Sequence, residues 1–122
     1  MSFKHKDHAA YDDWDRLLAE RFPWRSPDSE RRDWDKVRES FSVGQPVSGV
    51  VVSRAHFGAW LDIGAGFPAL LLIPDVAGLT PDRYQAGDWC PIGSTQHAQI
   101  VLFNDVDHKI RVAQGIPHEN RI

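Results

Sequence analysis

Residues 47–63, VSGVVVSRAHFGAWLDI, restrict the fold of this chain more than any other stretch. Val47, Val50, Val51 and Val52 carry branched Cβ atoms, which pack well on a pleated surface and lose rotamer freedom in a helix. Past Gly58 a strand alternation resumes, with Ala59, Leu61 and Ile63 pointing one way and Trp60 and Asp62 the other. The stretch therefore reads as two strands, 47–55 and 57–63, with a kink between them. Gly58 is expected at the kink, in a bulge or positive-φ conformation that its missing Cβ permits. Phe57 and Trp60 then lie on the face opposite the apolar row. Two large aromatics on the side of a strand turned away from the core are the main functional signal in the chain.

Ahead of this stretch the periodicity is helical. Trp14, Leu17, Leu18 and Phe22 recur at three-to-four spacing from Tyr11 onward, with Asp12, Asp13 and Asp15 near the start, where the helix dipole favours anions. Pro23 ends the run. Ser26 and Pro27 supply an N-cap and a proline at the first helical position, predicting a second helix over 27–40 with Trp34, Val37 and Phe41 on one face. An amphipathic helix must cover its apolar stripe, so burial is predicted for Trp14, Leu17, Leu18, Trp34 and Val37. Trp14, Trp24 and Trp34 are expected to pack these helices on the barrel and on each other. Downstream, Gly64-Ala65-Gly66 offers a turn, 69–73 a short buried strand and 81–84 a helical turn. Residues 88–93 read as an insertion before a fourth strand at 96–103. A fifth, at 109–113, places Ile110 and Val112 inward and Lys109 and Arg111 outward.

Val43-Gly44, Gly49-Val50-Val51 and the run from His56 to Gly64 (HFGAWLDIG) together resemble, in order and spacing, the S-one RNA-binding domain of the ribosomal small subunit and exoribonucleases. The resemblance spans roughly residues 41–114. It implies a mainly β protein, a five-stranded OB-fold barrel preceded here by an extension of two α-helices. The chain then divides into a helical extension at 1–40, a barrel at 41–116 and a tail at 117–122. The resemblance also implies a site in which bases stack on the two aromatics of the second strand. A His at the end of strand three, and an Asp and a basic residue around the last hairpin, assist them. The matching positions are Phe57, Trp60, Leu72, Asn104 or Asp105, and Lys109. Leu72 replaces the His and removes a polar stacking contact, while Lys109 keeps the charge without the planar fork of Arg. Arg54 falls where the family has an aliphatic core residue, so it must snorkel out or be displaced by a bulge.

The residues support the same surface on physical grounds. Every base has a π-face, so exposed aromatics on a curved sheet hold single strands at roughly 1–3 kcal/mol per base. His56, Lys109 and Arg111 supply donors nearby. Charge works the other way: 14 Lys and Arg against 17 Asp and Glu give a net charge of -3, a poor match to strong phosphate binding. Arg25, Arg31 and Arg32 form a candidate basic patch beside the barrel. The expectation is a non-catalytic protein that holds single-stranded RNA with moderate affinity at best. Two other readings remain. The aromatic face can be covered by the N-terminal helices or another chain, or it can dock a partner helix or peptide in a protein-interaction module.

Other chemistries find little support. His97, His108, Ser53, Ser94 and Asp62 show no nucleophile–base–orienter spacing, and no nucleotide-binding glycine loop is present. His5 and His8 lack a third ligand, so neither metal nor cofactor is expected. Cys90, the single cysteine, allows no disulfide framework or thiolate zinc cluster and is expected to be a buried packing residue. The chain opens without an apolar signal core and has no apolar run of membrane-spanning length. A cytoplasmic, bacterial-type protein without a membrane partner is therefore expected.

Overall fold

The computed structural model describes residues 13–115. Strands β1 (Pro46–Ala55), β2 (Gly58–Asp62), β3 (Ala69–Leu72), β4 (Thr95–Asn104) and β5 (Lys109–Ala113) close a barrel in the order β1-β2-β3-β5-β4. Only the β3–β5 pairing is parallel. Val51, Ala59, Leu61, Ala69, Leu71, Ile100, Ile110 and Val112 fill the interior, as the period-two patterns predict. Phe67 and Trp89 extend the same apolar cluster.

Among the described residues two helices precede the barrel: α1 (Trp14–Arg21) and α2 (Pro27–Ser40). Helix α2 has the predicted bounds. The Ser26 hydroxyl accepts from the Ser29 amide at 3.3 Å, Pro27 opens the first turn, and Asp28 and Glu30 sit at the positive end of the dipole. Its Trp34 and Val37 enter the barrel's apolar cluster. Helix α1 has no side-chain cap. Its Leu18 is buried, but neither Leu18 nor Trp60 belongs to that interior cluster. Trp14 and Leu17 are half-buried. Helix α1 therefore packs on the outer surface of the sheet, and α2 on the barrel core. Helix α3 (Pro81–Ala86), with Thr80 as its cap, extends two residues beyond the predicted turn. None of the described helices is long and apolar enough to cross a membrane.

The structure corrects several expectations. The bulge lies in β1 between Val51 and Ser53, not at Gly58, and Gly58 has no positive φ. Gly58 is required by close approach: a Cβ there would sit 2.9 Å from Leu72 Cα and closer still to the Leu71 carbonyl. Arg54 pairs with Ala59, so it keeps the inward register and is not displaced. It snorkels instead. Its guanidinium lies 4.9 Å from the Trp89 ring and donates to the carbonyls of Gly87 at 2.8 Å and Trp89 at 3.1 Å. The segment read as an insertion thereby supplies a buried plug. Cys90 beside it is buried as expected, and that burial pushes its thiol pKa up. Trp24 packs against neither helix partner; it is 84% exposed. The tail at 117–122, the His5/His8 pair, Tyr11 and Asp12 fall outside the described residues.

Candidate nucleic-acid interface

The outer surface of β2, β3 and β5 carries one continuous row. Trp60 pairs with Leu70, and Leu70 pairs with Arg111, so the three side chains share a face across three strands. Phe57, in the β1–β2 turn, stands edge-on to Trp60 with ring centroids 6.2 Å apart. Leu72 pairs with Gly58 and follows next along the same face. His56 is exposed in the turn beside Phe57. The sheet thus brings together Phe57, Trp60, His56, Leu72 and Arg111 of the sequence-predicted site.

This face is not bare. Trp14 of α1 stacks on Trp60 at 6.1 Å and 17° between ring planes, and meets Phe57 edge-on at 5.5 Å and 84°. Trp60 is left 4% exposed, whereas Phe57 keeps 41%. The C-terminal end of α1 is tied down by Arg21 Nε, which donates to Asp62 at 2.7 Å. Ser53 lies opposite Trp60 across the β1–β2 ladder and is fully buried. Its hydroxyl and the Trp60 indole N–H have no hydrogen-bond partner among the described residues.

The last-hairpin residues are engaged within the fold. Asn104 closes the β4–β5 turn, its Oδ1 accepting from the amides of Val106 and Asp107, each at 3.0 Å. Asp105 accepts from Trp34 Nε1 at 2.8 Å and from Arg38, which latches α2 to the barrel. The Arg38 hydrogen bond, seconded by the indole, holds the Asp105 carboxyl below its ordinary pKa. Arg111 is paired with Asp75 at 3.2 Å. Lys109 stays apart from the aromatics, in a cleft of about 180 Å³ between α1 and β5 that Leu18, Phe22, Trp24 and His108 also line.

Most of the positive charge is internally engaged. Arg25 pairs with Asp33, Arg31 with Asp28, and Arg16 with Asp13 and Glu20, so the expected Arg25–Arg31–Arg32 patch is largely neutralised. Among the described Lys and Arg side chains, Arg32, Lys36 and Lys109 make no ion pair or hydrogen bond. No group of three or more His, Cys, Asp or Glu among the described residues is arranged to hold a metal ion. The reading in which the N-terminal helices cover the aromatic face is the one α1 fulfils, through Trp14, a residue the sequence did not single out over Trp60. Sequence reasoning missed Ser53 beneath Trp60 and Asp75 as the partner of Arg111. The Trp14 and Asp75 contacts join residues far apart in the chain, and the Ser53–Trp60 register depends on the β1 bulge.

No protein-family model matches the chain, and no curated protein matches it in sequence. Solved structures do match in three dimensions. The solution structure of GSP13 from Bacillus subtilis aligns with TM-score 0.52 at 15% identity, over 67% of this chain and 70% of that one. A chain of the a/eIF2alpha–aDim2p–rRNA complex from Pyrococcus horikoshii aligns with TM-score 0.52 at 19% identity, over 66% of this chain and 48% of that one. The fold is that of an S-one-type OB barrel. RNase R of Mycoplasma genitalium, in complex with ribose-methylated single-stranded RNA, shares the barrel with TM-score 0.54 at 11% identity. That match spans 71% of this chain but 15% of RNase R, so the likeness covers one part of the larger enzyme.

Proposed function

We propose that this protein binds single-stranded RNA on the outer β2–β3–β5 face of its barrel, without catalysing a reaction on it. The observation that carries the reading is the Phe57–Trp60 pair, set edge-to-face on an outward row that ends in Arg111. An edge-to-face pair on a curved sheet offers a platform for flat rings, and base stacking tolerates any sequence. The barrel type adds to the case. With Arg111 paired to Asp75, Arg21 paired to Asp62 and Lys109 set apart in the α1–β5 cleft, electrostatics contributes little, so affinity is modest. Phe57 and Trp60 act as stacking groups, with His56 and Leu72 at the margin. Asn104 and Asp105 contribute through the fold around the site.

A second reading has one observation in its favour: the face already holds a helix, the protein's own α1. A partner helix in the same place would make the surface a protein-docking site.

Titration with short RNA oligonucleotides at two salt concentrations tests the proposal. Trp60→Ala should weaken binding by roughly 1–3 kcal/mol and leave the salt dependence unchanged. Lys109→Ala should flatten the log–log salt slope, which is expected near about -2 or shallower, at roughly -0.7 per phosphate neutralised. Absence of oligonucleotide binding at low salt would end the RNA reading and leave protein docking.

A further inference from the structure

We propose that α1 and single-stranded RNA compete for one surface: Trp14 occupies the place of a stacked base, and α1 must lift before Trp60 can accept one. The inference rests on the RNA-binding reading of the Phe57–Trp60 face and adds a built-in restraint to it.

The geometry of the cover is that of a ligand. A planar ring lies nearly parallel to Trp60 at 6.1 Å and meets the Phe57 ring edge-on at 5.5 Å. A nucleobase stacked on the same pair would need the volume Trp14 fills. The two cannot be present together.

The fit beneath the helix is incomplete in a way that favours exchange. Ser53 Oγ and Trp60 Nε1, on facing residues of β1 and β2, are buried without partners. A buried donor left unpaired is costly, and such groups in native proteins are uncommon. The neighbouring face of α1 offers them Trp14, Leu17 and Leu18, none of which has a side-chain acceptor. A nucleotide carries carbonyl, ring-nitrogen and sugar oxygen acceptors. Lifting α1 admits either water or those acceptors to both donors.

The attachment of α1 permits movement. An isolated helix of fewer than about 12–15 residues is marginal in water, and α1 has eight, with no side-chain cap. It is held by Leu18, by the Trp14 stack and by the half-exposed Arg21–Asp62 pair. The chain is pinned again just beyond it. Arg25 donates to the Gly66 carbonyl at 2.6 Å and to Asp33 at 2.9 Å, and lies 4.1 Å from the Phe67 ring. Residues 22–24, between these two attachments, include Pro23 and the exposed Trp24. They form a natural hinge: α1 can leave while α2 stays in the core.

The test compares wild type, Trp14→Ala and Trp60→Ala with a single-stranded RNA of about ten nucleotides, within the span of ~4–16 that one OB barrel covers. Thermal melting of each variant checks its fold. Removing the stacked ring should raise the fraction of open protein and tighten binding about three- to tenfold, the factor expected from one aromatic pair. In wild type, RNA should accelerate amide hydrogen exchange in α1 and leave α2 unchanged. That measurement needs no variant, so it decides between competition and its absence even if Trp14→Ala folds poorly. If Trp14→Ala binds no better than wild type while Trp60→Ala binds worse, the RNA site stands and the competition is overturned. Protection of the α1 amides by RNA would overturn it too. If neither wild type nor Trp14→Ala binds RNA, the site reading falls and the competition with it.

Discussion

Helix α2 sends Trp34 and Val37 into the barrel's apolar cluster, whereas α1 keeps Trp14 and Leu18 outside it, on the sheet surface. Both helices are amphipathic and each places a tryptophan against an aromatic group of the barrel. Their attachments differ in kind. Trp34 meets Phe67, Phe103 and His108, and its indole N–H is bonded to Asp105. Trp14 stacks on a ring whose own indole N–H is orphaned. Residues on adjacent helices can thus be structural in one case and a displaceable cover in the other. The Trp34 contact lies in the interior cluster and is hydrogen-bonded, whereas the Trp14 contact lies outside that cluster.

The largest effect should come from the core side of this contrast. Truncating a buried aromatic costs roughly 3–5 kcal/mol, and Trp34→Ala should reach that range in urea unfolding. Trp14→Ala, which removes a stack on an outer face, should cost about 1–2 kcal/mol. Equal losses would erase the distinction between the helices. Next comes the anchor at the start of α2. Arg25→Ala removes a partly buried ion pair, a carbonyl contact and a cation–π contact. It should cost about 1–2 kcal/mol by the same assay, and it sharpens where the fixed part of the chain begins.

The latch at Asp105 makes a pH-dependent test. Its folded-state pKa is held below 3.8 by Arg38 first and the Trp34 indole second. A depressed carboxyl pKa stabilises the fold above the unfolded value and loses that contribution as pH falls through the lowered one. Asp105→Asn keeps Oδ1 for the indole and removes the charge that faces Arg38. Wild type should therefore melt above the variant at neutral pH, and the two should converge below pH 3.8. A gap that persists in acid would assign the latch to shape. The smallest effect belongs to α1: Arg21→Ala breaks a half-exposed ion pair, worth at most about 1 kcal/mol, and less as salt is raised. It should show chiefly as faster exchange within α1.

Much of this architecture is legible in the chain. Ser26-Pro27 and the Trp34/Val37 spacing define α2 because caps and stripes act locally. The strand positions agree within a residue or two because period-two alternation needs only neighbours. Periodicity also shows that Trp60 points away from Leu61. It cannot show what covers Trp60, since the Trp14 contact joins residues on separate elements. The same limit hides the Trp34–Asp105 bond, by which Asp105 holds a helix. The bulge is misplaced by sequence for a related reason: Gly58 signals freedom, yet its glycine is demanded by the Leu71 carbonyl of a strand further along the chain. Residue type suggests a packing role for Trp24, and a large aromatic is not obliged to be buried.

Native-state hydrogen exchange, followed amide by amide at increasing denaturant, most directly tests the claim that α1 is a separable cover. The amides of Leu17 and Phe22, bonded to the carbonyls of Asp13 and Leu18, report on α1, and that of Phe41, bonded to the Val37 carbonyl, reports on α2. The α1 amides should open locally, at a free energy well below that of global unfolding, while α2 opens with the barrel. Identical opening free energies for the two helices, with the same denaturant dependence, would contradict it.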